Sequence, residues 1–477
     1  MAANTLDTNK MRTMPIGKLL FNMALPLALS MLVQALYNVV DSIYISRISG
    51  SAVTALSLAF PVQNLIIGFA TGIGVGMNSL LSKSLGENNR KRVNVAAGNG
   101  IFLMLIATVL FMLFGAFGSR PFFEAQSSVA ETVNGGTDYI SICCLFSIGI
   151  FVEVLGERML QASGRTIYTL FTQGTGAVLN IILDPFFILG SAGLESRFGI
   201  RLPFELPAFG VAGAAIATVS GQWVAALLAV IFNFTKNHDV KFGLSYLKPE
   251  FPIIKKILTV GVPSIIMMTI GAVMNFCMNQ VFLSFHETHG QTPANVFGIY
   301  YKLQSMFLMP LFGINNASIS ILAYNYGARQ PKRITGTLKC AVGTALTIML
   351  VGFSIFQFFP DKLMGLFGSS GDENAAALVN MGVTAMRIVS IHFPIAAIGI
   401  ALGASFQAMG IGIYSTFTAI CRQLLALVPV AYLLSLTGSV DAVWWAFPIA
   451  EFVSLIATLF FYRRIYKNKI KPLYETA

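Results

Sequence analysis

Apolar runs long enough to cross a bilayer recur from one end of this chain to the other. That recurrence limits the fold more than any single motif. Twelve runs stand at about 17–46, 53–82, 94–118, 138–157, 167–190, 209–234, 253–285, 294–325, 335–359, 379–402, 413–436 and 442–464. A bilayer core takes about 20 apolar residues of helix. The runs are long and lack strict alternation, which excludes a closed barrel and leaves helices as the spanning element. Composition agrees: 11% of residues are charged, against about 25% in a soluble domain. The first run, Ile16 to Ile45, exceeds the apolar stretch of a cleavable signal, about 7–15 residues, and is expected to remain as the first helix.

The net charge of +11 would suggest nucleic acid in a soluble protein. Here the basic residues mark topology instead. Lys10, Arg12 and Lys18 precede the first helix. Lys83, Arg90, Lys91 and Arg92 follow the second, Arg158 and Arg165 the fourth, Lys236 to Lys256 the sixth, Arg329 to Lys339 the eighth. Arg463 to Lys471 close the chain. The alternate connections are sparse or acidic. The positive-inside rule therefore predicts an inner-membrane protein with both termini cytoplasmic and an even number of helices. The five cysteines form no Cys-x-x-Cys pair and read as buried apolar residues.

The two halves repeat. Ala24-Leu25-Pro26 near the start of the first helix matches Gly261-Val262-Pro263 near the start of the seventh. The segment from Gln63 to Arg92 matches that from Gln304 to Arg333. Gln161-Ala162-Ser163-Gly164 matches Gln407-Ala408-Met409-Gly410. Six helices separate each pair, so both copies cross in the same direction, related by a pseudo-two-fold axis along the membrane normal. The expected organisation is an N-terminal lobe over 1–240, a cytoplasmic linker over 241–252 and a C-terminal lobe over 253–477. Two such six-helix bundles suit a transporter working by alternating access.

Function shows where the repeat loses its symmetry. A charge at the centre of a membrane helix costs about 2.5–3.5 kcal/mol or more and is rarely kept without use. Asp41 and Asp184 both lie about six residues, or about 9 Å, from the outer ends of their helices. Asn180 shares a helix face with Asp184, and Gln34, Tyr37 and Asn38 form a polar stripe with Asp41. Thr218 falls near the same depth. Pro185 withholds a backbone donor from the helix beside Asp184 and is expected to bend it there. The second half has Met278, Ala426 and Val430 where the first has Asp41, Asn180 and Asp184, so the fold itself does not require the acids. Two neighbouring acids in a low dielectric favour uptake of a proton or cation. Glu153 is a candidate for a proton path and His392 for a hydrogen-bonded core residue or a ligand. Met267, Met268, Met274 and Met278 are candidates for a greasy cavity, with ordinary packing as the alternative. Lys302 and Arg422 are expected to face a cleft or snorkel, and His286-Glu287-Thr288-His289 to lie in an exterior loop.

These residues resemble the multidrug and toxic compound extrusion (MATE) family. The likeness rests on Ala24-Leu25-Pro26, Tyr37-Asn38-Val39-Val40-Asp41, Leu85-Gly86, Gln161-Ala162-Ser163-Gly164 and Leu179-Asn180-Ile181-Ile182-Leu183-Asp184-Pro185. It implies a V-shaped, twelve-helix, cation-coupled exporter. It also implies a cation site on Asp41, Asn180, Asp184 and Thr218, of which Asp41, Asn180 and Asp184 would hold Na+ if that is the coupling ion. Pro26 is implied as a bending point of the first helix. The expected function is exchange of extracellular Na+ or H+ for amphiphilic, mostly cationic organic compounds. A lipid-linked saccharide flippase is the alternative. Neither an enzyme, a cofactor nor a nucleic-acid partner is expected; the partners are small organic substrates and membrane lipids, and the protein is expected to be a monomer.

Overall fold

The computed structural model describes residues 10–46, 49–199, 201, 203, 205–365 and 375–475. Among them there is helix and turn but no strand. Ten helices are long and apolar enough to span a membrane, and two bent helix pairs bring the number to twelve. In order these are α1 (Ile16–Ser46), α2 (Gly50–Gly86), α3 (Arg90–Leu113), α4 (Ala130–Leu145 and Ile148–Ala162), α5 (Ile167–Phe198) and α6 (Val211–Lys236). The second six are α7 (Phe251–Leu283), α8 (Thr292–Gly327), α9 (Pro331–Phe358), α10 (Ala375–Ser390 and Phe393–Ala408), α11 (Gly412–Ile420, continuing to Ser435) and α12 (Ala446–Ile465).

Burial is distributed as it is in lipid rather than in water. Phe117, Phe251 and Phe358 are each at least three-quarters exposed, whereas Asn78, Ser82, Ser84, Asn99, Ser318, Ser320 and Asn325 have no exposed surface. A hydrocarbon solvent removes the penalty on exposed apolar side chains. It makes unpartnered polar groups costly, so they turn inward and bond to backbone. Ser318 donates to the Ile314 carbonyl at 2.8 Å and Asn325 to the Ile321 carbonyl at 2.8 Å, each one turn back along its own helix. All five cysteines are free, two of them buried.

The sequence repeat is reproduced down to single dihedral angles. Asn88 and Arg329 hold matching positions after α2 and α8, and both are left-handed, at φ 59° and 53°. Gly164 and Gly410 match after α4 and α10, and both have φ 76°. Each pair closes its helix with the same bond. Asn89 N–H donates to Ser84 O at 3.0 Å and Gln330 N–H to Asn325 O at 3.0 Å; Arg165 N–H donates to Leu160 O and Ile411 N–H to Phe406 O, both at 2.8 Å. The fourth helix of each half is broken by almost the same angle, 47° in α4 and 46° in α10. The repeated glutamines each reach that fourth helix. Gln63 Nε2 donates to Tyr139 Oη at 2.6 Å, and Gln304 Nε2 lies 3.0 Å from His392 Nε2.

The residues pack as two units. One is Leu29–Ile265; the other is the chain up to Ala28 together with Ile266–Ala477. These units do not follow the sequence halves 1–240 and 253–477. The linker 241–252 belongs to the first unit: Asn94 Oδ1 accepts from Lys241 N–H at 2.9 Å and Asn99 Oδ1 from Glu250 N–H at 2.8 Å. The opening turns of α7 follow it. Gly72 and Gly76 on α2 let that segment approach so closely that a Cβ at Gly76 would stand 2.1 Å from the Ile257 carbonyl oxygen, and one at Gly72 2.7 Å from that of Gly261. The second unit repeats the device. A Cβ on Gly313 of α8, the counterpart of Gly72, would stand 2.6 Å from Ala28 N of α1. Ahead of α1, Arg333 Nη2 donates to the carbonyls of Met11 and Met14 at 2.9 and 2.8 Å.

One expectation needs correction. Helix four does not end at 157 but runs on to Ala162, so Arg158 is not in a connection; it is helical and 7% exposed. Its guanidinium donates to Gln161 Oε1 at 3.0 Å, one turn along, which satisfies part of a charge that a loop would leave to water. α5 carries Pro185 inside it. Its backbone leaves helical geometry at Gly190, with φ 65° and ψ −176°, a conformation open to glycine alone. There the returning segment runs alongside it, Leu206 O accepting from Ser191 N–H at 2.8 Å and Phe187 O from Phe209 N–H at 2.9 Å.

Candidate functional site

The first unit holds a buried polar cluster where α5 meets α6. Two glycines set the approach. A Cβ on Gly221 would stand 2.6 Å from the Gly176 carbonyl oxygen, so nothing larger fits without a shift of helix. That contact brings Asn180, one turn beyond Gly176, against α6. Asn180 Nδ2 donates to Thr218 Oγ1 at 3.3 Å and to Asp184 Oδ1, one turn further along its own helix, at 3.4 Å. Asp184 has no exposed surface, Asn180 2% and Thr218 6%. Asn180 Oδ1 is buried and has no hydrogen-bond partner among the described residues. A hydroxyl from α6 beside an amide and a carboxylate one turn apart on α5 offers an all-oxygen donor set of the kind hard cations take, and the carboxylate is equally a proton acceptor. Both bonds from Asn180 are long, so the amide can yield to an incoming ion at small cost.

The remaining predicted residues sit as follows. Gln34 is half-buried on α1. Tyr37, Asn38 and Asp41 belong to the helical run of α1, but their side chains lie outside the described residues. Glu153 is half-buried on α4. Met278 has no exposed surface. Pro26 and Pro263 stand inside α1 and α7, each two residues before its helix passes from one unit to the other. His392 caps the second part of α10 at the break. Its Nδ1 lies 2.6 Å from the Val389 carbonyl, so that nitrogen carries the proton, and Nε2 accepts from Gln304. Lys302 is exposed, as is the short His286–His289 helix.

Two buried acids escaped the sequence reading. Glu157 is 2% exposed on α4, one turn from Glu153, and its two oxygens accept from Thr172 Oγ1 at 2.7 Å and Gln173 Nε2 at 2.9 Å on α5. Gln173 lies seven residues before Asn180, so α5 presents Gln173, Asn180 and Asp184 on one face. In the second unit Glu451 of α12, 6% exposed, stands 3.6 Å from Arg422. Arg422 lies in a π-helical stretch of α11, Cys421–Leu427. A signal for both acids was available. A carboxylate inside an apolar run is the same anomaly that identifies Asp184; Glu157 stands at the very end of the run 138–157, where it resembles a helix exit, and Glu451 stands inside the run 442–464.

A polytopic all-helical bundle built from a parallel repeat, with an acid-amide-hydroxyl cluster buried in one half only, defines a membrane transporter rather than an enzyme. The family model MatE matches residues 26–186 and 263–433, one match to each half. The chain therefore belongs to the MatE family of transporters. Among curated relatives, the multidrug export protein MepA of Staphylococcus haemolyticus is 23% identical over 450 residues, covering 93% of each chain. A protein of Shewanella oneidensis named as an FAD transporter is 24% identical over 463 residues, covering 96% of this chain and 97% of its own. A crystal structure of a MATE protein in complex with MaL6 superposes with a TM-score of 0.87 at 25% identity, covering 98% and 99%. An outward-facing multidrug resistance MATE family transporter gives 0.86 at 25% identity, covering 98% of each.

Proposed function

We propose that this chain is a secondary active exporter that exchanges Na+ or H+ for amphiphilic, mostly cationic organic compounds across the cytoplasmic membrane. The observation that carries the reading is the buried Asn180–Asp184–Thr218 cluster, confined to the half of the repeat where the acids are. A carboxylate with no solvent access prefers to be neutralised, and a proton, a sodium ion or an organic cation each does that. Occupancy by one excludes another. Mutual exclusion supplies the unequal binding to two conformations that a ligand needs in order to shift them. Asp41, seven residues beyond Gln34 on α1, is the second carboxylate of this reading, with Tyr37 and Asn38 beside it. The relatives named for multidrug export support the cargo class. The relative named as an FAD transporter makes an anionic dinucleotide the comparison cargo.

The test is dye efflux from liposomes reconstituted with wild type, Asp184→Asn and Asp41→Asn, with Na+ and pH gradients imposed one at a time. Wild type is expected to respond to one gradient and both variants to lose that response while remaining folded. Efflux that stays gradient-driven in both variants would sink the coupling site. A wild type that moves no organic cation under either gradient, but moves FAD or a lipid-linked saccharide, would overturn the cargo.

A further inference from the structure

We propose that the second unit carries a binding site for one anionic phospholipid, in the groove between α9 and the end of α12. The groove encloses about 540 Å³. Its lining changes character along α9. Thr335 and Lys339 stand at the end next to the basic connection; Val342, Gly343 and Leu346 follow toward the middle of the helix. From Thr335 to Leu346 is about 16 Å at the helical rise. That gradient, polar to apolar over one wall, is the profile of a lipid from phosphate to upper acyl chain, and a free anion would use only its first third. Gly343 leaves the wall flat: a Cβ built there would meet no atom within 4 Å.

The polar end is built from Lys339 and the rings of Tyr462, Tyr466 and Tyr474. Tyr474 is fixed by a 2.9 Å hydrogen bond between its hydroxyl and Thr335 Oγ1. Tyrosine at a membrane boundary places its ring among upper acyl chains and its hydroxyl at headgroup level. Lys339 is exposed and pairs with no acid among the described residues. The flanking elements add Lys332, Arg463, Arg464, Lys467, Lys469 and Lys471; Arg333 is engaged by the Met11 and Met14 carbonyls. Of the acids on those elements, Glu451 of α12 stands 3.6 Å from Arg422 and Glu475 is 3.9 Å from Lys471. A basic rim at the mouth of a groove between membrane helices recognises anionic headgroups, each cation near the surface contributing about fivefold in affinity. None of these residues belongs to the Asn180–Asp184–Thr218 cluster.

The full-length protein, stripped of lipid in detergent, is titrated with phosphatidylglycerol, phosphatidylcholine or inorganic phosphate, and bound lipid is counted by native mass spectrometry. Wild type is expected to retain one phosphatidylglycerol that Lys339→Gln binds about fivefold more weakly and that Gly343→Leu, which fills the groove, does not retain. Phosphatidylcholine and inorganic phosphate are expected to leave that site empty. Equal retention of phosphatidylglycerol by wild type and both variants overturns the site. Equal binding of the two phospholipids overturns recognition by charge, and displacement by inorganic phosphate overturns the lipid. If Gly343→Leu does not fold, Lys339→Gln and Tyr466→Phe carry the comparison.

Discussion

Glu157 shows how a residue's surroundings decide what its charge does. Both oxygens accept hydrogen bonds from α5, from Thr172 and Gln173, so the carboxylate joins two helices of the first unit where lipid or water would otherwise have to be excluded. Removing it takes both bonds: the Thr172 hydroxyl keeps the Thr169 carbonyl at 2.9 Å, and Gln173 Nε2 loses its acceptor, at about 1–3 kcal/mol for the orphaned donor. Glu157→Ala is therefore expected to lower the thermal midpoint of the purified protein clearly more than Thr172→Val, which removes one donor and leaves the other bond in place. Equal midpoints for the two variants would mean that these bonds hold nothing together. Asp184 and Asn180 were legible in the sequence because four residues separate them and the second half of the repeat lacks both. Thr218 was legible only through depth, since it comes from a different helix. Glu157 and Arg158 were not, because adjacent opposite charges near the end of an apolar run look like a helix exit. Only the third dimension shows that Thr172 and Gln173 stand opposite.

At the scale of elements, helix identity and order could be read from hydropathy, and the matched helix ends from the repeat. The breaks were harder. Pro394 follows the break in α10 and hints at it, but Phe146 and Ser147 at the break in α4 carry no breaker, so packing alone sets that 47° bend. Close helix approach was likewise hidden among 43 glycines, because composition does not say which of them admits a neighbouring helix. Gly221 is one that does, since its missing side chain lets α6 lie on the Gly176 carbonyl and carry Thr218 to Asn180. Overpacking at such a contact costs about 1–3 kcal/mol. Gly221→Leu is expected to fold with reduced stability and to lose gradient-driven efflux. Gly343→Leu, on the open wall of α9, is expected to leave efflux intact. Efflux lost equally in both would show that bulk anywhere on a helix is damaging, and that the α5–α6 approach has no particular part in the site.

The whole molecule adds what neither residues nor helices display. The family match leaves the repeat boundary between 186 and 263, yet the packed units part within α1, after Ala28, and within α7, after Ile265. The first turns of each half's first helix are held by the other half's second helix, through Gly72 and Gly76 in one unit and Gly313 in the other. Each of these two helices thus belongs to one unit at its start and to the other beyond the passage, and in the proposed exchange any reorientation of the units is taken up along it. Pro26 and Pro263 lie two residues before those passages. Proline inside a helix costs about 3 kcal/mol relative to alanine, a cost that selection for stability alone would remove. The proposed exchange gives it a use, because a helix lacking one backbone bond bends there more easily than elsewhere. Pro26→Ala and Pro263→Ala are accordingly expected to raise the thermal midpoint, or leave it unchanged, while slowing efflux, the double variant more than either alone. The measurement is turnover in liposomes beside melting of the same preparations. Slower efflux with a lowered midpoint would be ordinary damage to the fold. Unchanged efflux in the double variant would place the flexible point outside both helices, with the prolines merely tolerated where they stand.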